Sequence, residues 1–413
     1  MRQLIRDIAI FDGSGREPFA GAVIVEGDRI AAVLRDADAI AAATADHVID
    51  GKGRTLMPGM VDAHTHLTWG SSVEKIYHQF ILPPEELKVA AWRNARVLLD
   101  HGFTSAYSAG ALGDHIEPEL ARAIEAGETP GPRLVPSTLE RSPEGEEGVE
   151  TGDVFNGRGP EAMRAFMAYC SAEGVKSVKL VISGEDALKP GSAQDILYTD
   201  AEMVAAGKAA KAEGLWIAAH AYSPRAIQLA LEAGARILYH CSFADEAAID
   251  AMAAKKDEIF YAPGAGVSVA ALEASPPPHI HMSAMKVSAA QRMDLEQKLV
   301  PELRKRGVRI MIGGDYGFPF NPHGRNARDL SHFVQYFGFS PAEALNAATE
   351  LGGQLMGRGH ELGLVREGYL ADLLLIDGDP TLDVAILQDA SRIAMIMQGG
   401  RLHKAPVSQP AIA

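Results

Sequence analysis

The chain has few of the features that mark secreted or membrane-bound proteins. It contains two cysteines, Cys170 and Cys241, which lie far apart in apolar stretches, so no disulfide framework is expected. It has no apolar run of about 18 residues, the length that a membrane span requires. Its first residues also lack the apolar segment of a secretory signal. These absences predict a cytoplasmic protein without a membrane partner.

Positive charge is scarce as well. The chain has 39 Lys and Arg against 54 Asp and Glu, a formal net charge of −15. Nucleic acids and anionic membranes attract proteins through basic patches, so neither is expected as a partner. With 413 residues, of which 47% are hydrophobic, the chain is long enough for one large domain and a smaller one.

Both ends of the chain are rich in short β-strand patterns. Turn residues separate expected strands at 4–11, 22–26 and 29–33, and at 371–376 and 393–397. Neither end is large enough to bury a core by itself. We therefore expect residues 1–56 and 359–405 to form one small β-sandwich domain.

The middle of the chain alternates apolar strands with helical stretches, the pattern of repeated βα units. Candidate strands lie at 56–64, 103–108, 133–137, 177–183, 215–220, 236–240, 258–262 and 308–314. Capping boxes that begin at Thr199 and Ser340, and Ser223 before Pro224, mark helix starts. Since eight strands close a barrel, residues 57–358 are predicted to form a (β/α)8 TIM-type barrel of the α/β class.

Polar side chains follow several of these strands. His64 and His66 are two residues apart at the end of the first, so their side chains point the same way. The other polar residues at strand ends are Lys179, His220, His240 and Asp315. Strand ends of a barrel meet at one face, and histidines with a carboxylate suit a divalent cation, zinc first. A second His-x-His triplet, 279–281, lies in a proline-rich loop and is not expected to bind metal.

Lys179 is the unusual member of this group. An ammonium group repels a dication, so this lysine must be neutral or modified to belong to a metal site. Burial and nearby positive charge lower a lysine pKa and favour the free amine. Such an amine can capture carbon dioxide as a carbamate, whose two oxygens could bridge two cations.

The order of these six residues resembles the metal-dependent amidohydrolase superfamily. More narrowly, it resembles the imidazolonepropionase-related branch that includes Xaa-Pro and Xaa-Arg/Lys dipeptidases. Supporting stretches are Leu56-Met57-Pro58-Gly59-Met60-Val61-Asp62-Ala63-His64, Gly174-Val175-Lys176-Ser177-Val178-Lys179, Ala218-Ala219-His220-Ala221-Tyr222, and residues 344–349 and 363–373. The resemblance implies a barrel with a composite β-sandwich, and a homo-oligomer.

The resemblance also implies a binuclear centre. His64, His66 and Asp315 would hold one cation, and His220 and His240 the other. Carboxylated Lys179 would bridge them, with zinc the expected metal and manganese or cobalt the alternatives. A metal-bridging hydroxide would attack an amide carbonyl of a small-molecule substrate, with Asp315 as general base and then acid.

Substrate residues are predicted with less support from the pattern. Tyr222 corresponds to a tyrosine that dipeptidase relatives use for the substrate carboxylate. His323 and Arg325 follow the eighth strand and could bind an anion, and Tyr107 lies in a stretch, 106–110, that departs from the Val-Arg-Asp-x-Gly of relatives. Residues 137–141 also replace the relatives' Gly-Gly-His turn. A dipeptide, an N-acyl amino acid, a cyclic amide and an aromatic amide all stay open as substrates.

Two other functions are considered. A mononuclear deaminase of the same superfamily typically lacks the lysine and has a glutamate soon after the fifth-strand histidine. Here Lys179 is present and Ala221-Tyr222-Ser223 follow His220. A non-catalytic assembly protein on this fold would be expected to have lost ligands, and none is lost. Metal content separates the three: about two ions per chain, one, or none.

Overall fold

The computed structural model describes residues 1–70, 83–143, 156–186, 189–278 and 280–406, so that His279 lies outside the described residues. Strands are β1 Arg2–Ile10, β2 Phe19–Glu26, β3 Arg29–Leu34, β4 His47–Pro58, β5 Met60–Thr65, β6 Phe103–Ser108, β7 Arg133–Val135, β8 Ser177–Val181, β9 Trp216–Ala221, β10 Ile237–His240, β11 Phe260–Ala262, β12 Arg309–Ile310, β13 Leu373–Ile376, β14 Ile393–Gln398 and β15 Arg401–Lys404. Helices are α1 Ala37–Ala42, α2 Pro84–Asp100, α3 Ile116–Glu125, α4 Gly159–Glu173, α5 Asp200–Glu213, α6 Pro224–Glu232, α7 Glu246–Ala254, α8 Ala265–Glu273, α9 Ser283–Lys305, α10 Arg328–Phe337, α11 Pro341–Ala348 and α12 Glu350–Leu355. None of the described helices is long and apolar enough to cross a membrane.

Strands from both ends of the chain form one seven-stranded sheet, in the order β15-β14-β13-β4-β1-β2-β3. β4 lies in its middle, parallel to β1 and antiparallel to β13. Apolar side chains of these strands, among them Ile5, Val23 and Leu375, form a core of their own. Strands from the two ends of the chain are thus paired in one sheet, as the strand patterns of the sequence predict. The seven strands pair side by side in a single sheet, so the two-layered sandwich stays a prediction.

The middle of the chain supplies parallel strands in two sheets, β5-β6-β7 and β12-β11-β10-β9-β8. Backbone hydrogen bonds connect the edges of these sheets on both sides. Ala63 donates to Ile312 across one seam at 3.2 Å, and Arg141 donates to Lys179 across the other at 3.0 Å. Helices pack against the strands in the largest apolar cluster of the molecule. The carboxyl ends of all these strands therefore point the same way.

The first predicted barrel strand, 56–64, is divided by Gly59. Its N–H donates to the Asp372 carbonyl at 2.9 Å, outside the barrel. A Cβ on this residue would lie 2.1 Å from Thr104 Oγ1, so only glycine allows the close approach. As a result β4 ends at Pro58 in the seven-stranded sheet, and β5 begins at Met60.

Side chains at helix starts agree with the sequence. Thr199 and Ser340 form capping boxes with Glu202 and Glu343. Ser223 accepts from the backbone N–H of Ala226 in front of α6. These caps satisfy N–H groups that have no partner within the helix. The helices between strands therefore start where local sequence dictates.

A buried ion pair ties the barrel to the seven-stranded sheet. Arg133, at the start of β7, donates from Nε to Asp372 Oδ2 at 2.8 Å and from Nη2 to Oδ1 at 3.1 Å. The Gly399 N–H also donates to Asp372 Oδ1, at 2.7 Å. Replacing Asp372 with alanine leaves the guanidinium half-buried without its partner. We expect the free energy of unfolding to fall by about 2–4 kcal/mol, measured by urea denaturation.

The matched control is Glu161→Ala, which breaks an exposed pair with Arg164. Exposed pairs contribute little, so its free energy of unfolding should change by less than about 1 kcal/mol. Equal losses in the two variants would contradict a structural role for Asp372.

Candidate metal centre

The structure brings the six predicted ligand residues to the same end of the barrel strands. His64 lies on β5 and His66 directly follows it, and Lys179, His220 and His240 lie on β8, β9 and β10. Asp315 follows β12, and all six side chains are buried. The His64 ring centre is 5.4 Å from that of His66 and 5.3 Å from that of His240, and the His220 and His240 ring centres are 4.8 Å apart. Each imidazole therefore has another beside it.

His64, His66 and Asp315 form the tightest part of this cluster. Asp315 Oδ1 is 3.5 Å from His64 Nε2 and 3.0 Å from His66 Nε2, and one ligand atom from each residue lies within 4.8 Å of the others. His66 Nδ1 is 3.0 Å from the Gly110 carbonyl oxygen. A carbonyl only accepts, so Nδ1 donates to it, and Nε2 is the ring nitrogen that faces Asp315. This is the ligand set of a divalent cation site.

The neighbouring part contains Lys179, His220 and His240. Lys179 Nζ donates to the Ala109 carbonyl at 2.9 Å and lies 4.6 Å from the centre of the Tyr239 ring. Among the described residues, His64 Nδ1 and His220 Nε2 are buried without a hydrogen-bond partner. Buried polar atoms are rarely left unpaired, and imidazole nitrogens are preferred zinc ligands. The residues of the centre thus fit divalent cations.

Burial sets the protonation of the histidines. It lowers the pKa of His64 and His240 well below the ordinary value, and the charges of Lys179 and of neighbouring imidazoles act in the same direction. Burial also lowers the pKa of His220. These rings are therefore neutral at neutral pH, the form that binds a cation without first losing a proton.

The shift in the pKa of Asp315 favours the charged form of its side chain, whereas the shifts of the histidines favour the neutral form. Burial opposes its ionisation, but hydrogen bonding and charge from His66, followed by the charges of Lys179 and His220, hold the pKa of its carboxyl below the ordinary value. The side chain is therefore a carboxylate at neutral pH. Ionised carboxylate beside neutral imidazole is the state that both metal binding and general base chemistry require.

Backbone strain is concentrated at the centre. His240 has φ +71° and Asp315 has φ +60°, backbone angles that residues other than glycine rarely adopt. Such conformations cost about 1–3 kcal/mol each and persist where surrounding contacts enforce them. At Gly264 a Cβ would lie 3.0 Å from His240 Nδ1, so the glycine leaves room for the ring. The strain aims both side chains at the centre.

Hydrogen bonds behind the ligands fix their backbone. Asp62 accepts from the His64 N–H at 2.9 Å and from Asn326 Nδ2 at 2.6 Å. Asn321 Nδ2 donates to the carbonyls of Gly314 and Asp315 at 2.9 and 3.0 Å. Only the contact between Asn326 and Asp62 joins distant segments of the chain, and the others are local to β5 and to the segment after β12.

Glu140 is a residue of the centre that sequence reasoning missed. Its Oε1 lies 3.5 Å from His66 Nδ1 and its Oε2 lies 3.9 Å from Lys179 Nζ. A Cβ on Gly110 would meet the Glu140 side chain at 2.3 Å, so this glycine makes room for it. The available signal was its place in residues 137–141, the stretch that departs from the relatives' pattern.

Tyr222 is the predicted substrate residue that contacts the ligands. Its ring stacks on His240 at 4.8 Å between centres and meets His220 edge-on at the same distance. The hydroxyl donates to Glu185 Oε2 at 2.8 Å and accepts from Arg292, a buried residue of α9. Arg292 is also 3.2 Å from Glu185 Oε1, so its charge is compensated. Arg292 and Glu185 were not predicted.

The other predicted substrate residues make different contacts. His323 is partly buried and donates from Nε2 to the backbone carbonyl of His66 at 3.1 Å, and burial lowers its pKa to about 4. Tyr107 is buried and its ring is parallel to that of Trp216, the first residue of β9, at 6.3 Å between centres. It therefore lies toward the opposite strand ends from His220. Arg325 is partly exposed, 3.9 Å from Glu273.

The fold and this geometry define the class of TIM-barrel enzymes with a metal site at the strand ends. The chain belongs to the amidohydrolase family, whose pattern it matches over residues 55–403. It is 26% identical to ochratoxinase of Aspergillus niger over 423 residues, covering 96% of this chain and 85% of that protein. Over 391 residues it is 25% identical to imidazolonepropionase of Chromobacterium violaceum, covering 86% of this chain and 85% of the relative.

Solved structures show the same fold. A Xaa-Pro dipeptidase with bound methionine superposes with a TM-score of 0.85 at 23% identity, covering 98% of this chain and all, 100%, of the other. Phenylurea hydrolase B superposes with a TM-score of 0.77 at 20% identity, covering 97% and 96%. The protein is thus a hydrolytic enzyme that acts on carbon–nitrogen bonds of a small-molecule substrate, in a family that generally uses divalent metals.

Proposed function

We propose that the protein hydrolyses an amide bond at a binuclear centre. His64, His66 and Asp315 would hold one divalent cation, His220 and His240 would hold the other, and N-carboxylated Lys179 would be a ligand to both. Zinc is the first candidate, with manganese or cobalt as alternatives. The observation that supports this most is the convergence of six buried side chains, two of them with unpaired imidazole nitrogens among the described residues.

The cations would supply Lewis acidity toward the substrate carbonyl and would make water a stronger acid at neutral pH. Asp315 accepts the proton of the attacking water and delivers it to the departing amine nitrogen. Its lowered pKa keeps it ready to accept. The Tyr222 ring lies beside both His220 and His240, and its hydroxyl would donate a hydrogen bond to the substrate in place of its present acceptor Glu185.

The proposal also includes the division of the chain into domains. We propose that residues 57–358 form one closed barrel domain and that residues 1–56 with 359–405 form the accessory domain. Backbone hydrogen bonds across both seams of the barrel sheets, and the shared seven-stranded sheet of the two ends, support this division.

One observation favours a second candidate, a deaminase with a single cation. Glu140 lies 3.9 Å from Lys179 Nζ. A lysine paired in this way as an ammonium group would not bridge cations, and His64, His66 and Asp315 would then hold the single cation. The two candidates differ in metal content and in product.

Metal analysis and a substrate panel test the proposal together. The protein is loaded with zinc and offered dipeptides, N-acyl amino acids, cyclic amides and aromatic amides. We expect about two ions per chain, cleavage of an amide into acid and amine, and loss of activity on chelation. One ion with release of ammonia from an aminated ring would support the deaminase, and protein without metal or turnover would leave a non-catalytic protein.

Single histidine variants provide the matched comparison. His220→Ala should lose one of the two ions and most of the turnover, because it removes a ligand from the second cation. His281→Ala is the control, since His281 is exposed and lies outside the centre. Two ions in the His220 variant would contradict the proposed ligand set.

A further inference from the structure

A cavity lies between the segments that follow β11 and β12. Its volume is about 360 Å³, within the range of small-molecule sites. Pro276, Pro277 and Ile280 line one side, and Phe320 lines the other. Because both segments follow carboxyl ends of barrel strands, the cavity opens on the same face as Asp315.

Stacked aromatic rings connect this cavity to a metal ligand. The Trp69 ring stacks on His66 with 3.8 Å between centres, and Phe318 packs edge-on against Trp69 at 4.5 Å. Phe320 in turn stacks on Phe318 at 5.2 Å and lines the cavity. These rings therefore form a continuous series of packing contacts from the predicted ligand His66 to the wall of the cavity.

The wall that carries Phe320 is held directly by the proposed general base. Asn321, the next residue, donates its side-chain amide to the Asp315 carbonyl at 3.0 Å and accepts from the Gly317 N–H at 3.0 Å. Behind Phe320, the side chains of Met282 and Met285 form a small apolar cluster that also contacts Ile280. The cavity wall and Asp315 are thus fixed relative to one another.

The charged groups at the cavity compensate one another. Arg325 and Glu273 both line it and lie 3.9 Å apart, and Arg328 also donates to Glu273 at 2.9 Å. The cavity therefore presents apolar surface and an ion pair with little net charge. Such a lining suits an uncharged apolar group better than an anion or a cation.

We propose that this cavity binds an extended apolar group of the substrate, an aromatic ring or a long aliphatic chain joined by a spacer to the scissile amide. The inference rests on the proposed amide hydrolysis and narrows its substrate class. The Phe318 and Phe320 rings guide the spacer, and Pro276, Pro277 and Ile280 enclose the end of the group. Small N-acetyl substrates leave the cavity unused and are turned over less efficiently.

The test compares substrates that differ in the length of the apolar group on either side of the amide bond. N-acetyl-alanine is the reference, N-(4-phenylbutanoyl)-alanine extends the acyl side, and N-acetyl-homophenylalanine extends the amine side. We expect kcat/KM to be at least about 10-fold higher for one extended substrate than for the reference, the range that apolar pocket contacts give. Equal values for all three would overturn the proposal.

Two variants test whether the gain in kcat/KM for the extended substrate arises in the cavity. Phe320→Ala removes a wall, and Ala274→Phe fills the cavity that Ala274 lines. Each should remove the gain, measured as the ratio of kcat/KM for the extended substrate to kcat/KM for N-acetyl-alanine. Phe19→Ala is the matched control, because Phe19 is a partly buried phenylalanine of β2 in the other sheet. Survival of the gain in both cavity variants would overturn the inference.

A binding measurement distinguishes failure of the cavity assignment from failure of the proposed amide hydrolysis. The affinity for 4-phenylbutanoate is measured by calorimetry on zinc-loaded wild-type protein and on the Ala274→Phe variant. If no amide is cleaved but the variant binds at least about 10-fold more weakly, the cavity assignment stands and the proposed function falls. Equal affinities, together with no gain in kcat/KM for N-acetyl-homophenylalanine, overturn the cavity assignment.

Discussion

Asparagine in place of Asp315 is expected to lower kcat by about 10²–10⁴-fold, the contribution typical of general acid–base catalysis. An amide oxygen can still face His64 and His66, but it cannot accept the proton of water at neutral pH. Asparagine also tolerates the left-handed backbone that Asp315 adopts, with φ +60°. The substitution therefore tests the chemistry of the carboxylate with little change in backbone strain.

The measurement combines steady-state kinetics with metal analysis. Asp7→Asn is the matched control, because Asp7 has φ +55°, is exposed and lies on β1 far from the centre. Its kcat should equal that of the wild type. An Asp315→Asn protein that keeps its metal and full kcat would remove Asp315 from the role of general base.

Alanine in place of Lys179 is expected to lower activity by about 100-fold or more, at or above the upper end of the effect typical of residues that only orient ligands. The proposed bridge disappears with the side chain, so one of two cations should be lost as well. Small carboxylates such as propionate should restore part of the activity, because they can occupy the space left by the side chain. Wild-type protein in ¹³C-enriched bicarbonate should show a carbamate signal that the variant lacks.

The control for this variant is Lys176→Ala, which removes a partly exposed lysine from just before the same strand. It should keep its metal, its carbamate signal and its activity. Full activity with two cations in Lys179→Ala would exclude the carbamate bridge and would favour the ion pair of Lys179 with Glu140.

The strands and helix caps that local patterns determine could be predicted from the sequence. The strands that carry His220 and His240 are short apolar runs, and each predicted range agrees with the observed strand within two residues. The capping box at Thr199 is likewise a pattern of adjacent residues. Parallel strand ends meet at one face, so the convergence of distant histidines followed from topology and needed no knowledge of contacts.

Other parts depended on contacts between distant segments. Arg292 reaches Tyr222 from the middle of a long helix, and nothing in the helical pattern distinguishes it from a solvent-facing arginine. Glu140 enters the centre because Gly110 leaves it space. The division of residues 56–64 at Gly59 arises from a carbonyl of the far end of the chain. Such contacts have no periodic signal in a single sequence.

The seven-stranded sheet has a consequence for biosynthesis. β4 leads through Gly59 directly into the strand of His64, yet its neighbour β13 begins only at Leu373. On the ribosome, the segment that introduces His64 and His66 therefore waits for the whole barrel region to be made before this pairing partner exists. Such late, long-range pairing is slow and leaves an unpaired strand edge in the nascent chain. The emerging polypeptide therefore needs protection from aggregation until its final segments have left the exit tunnel.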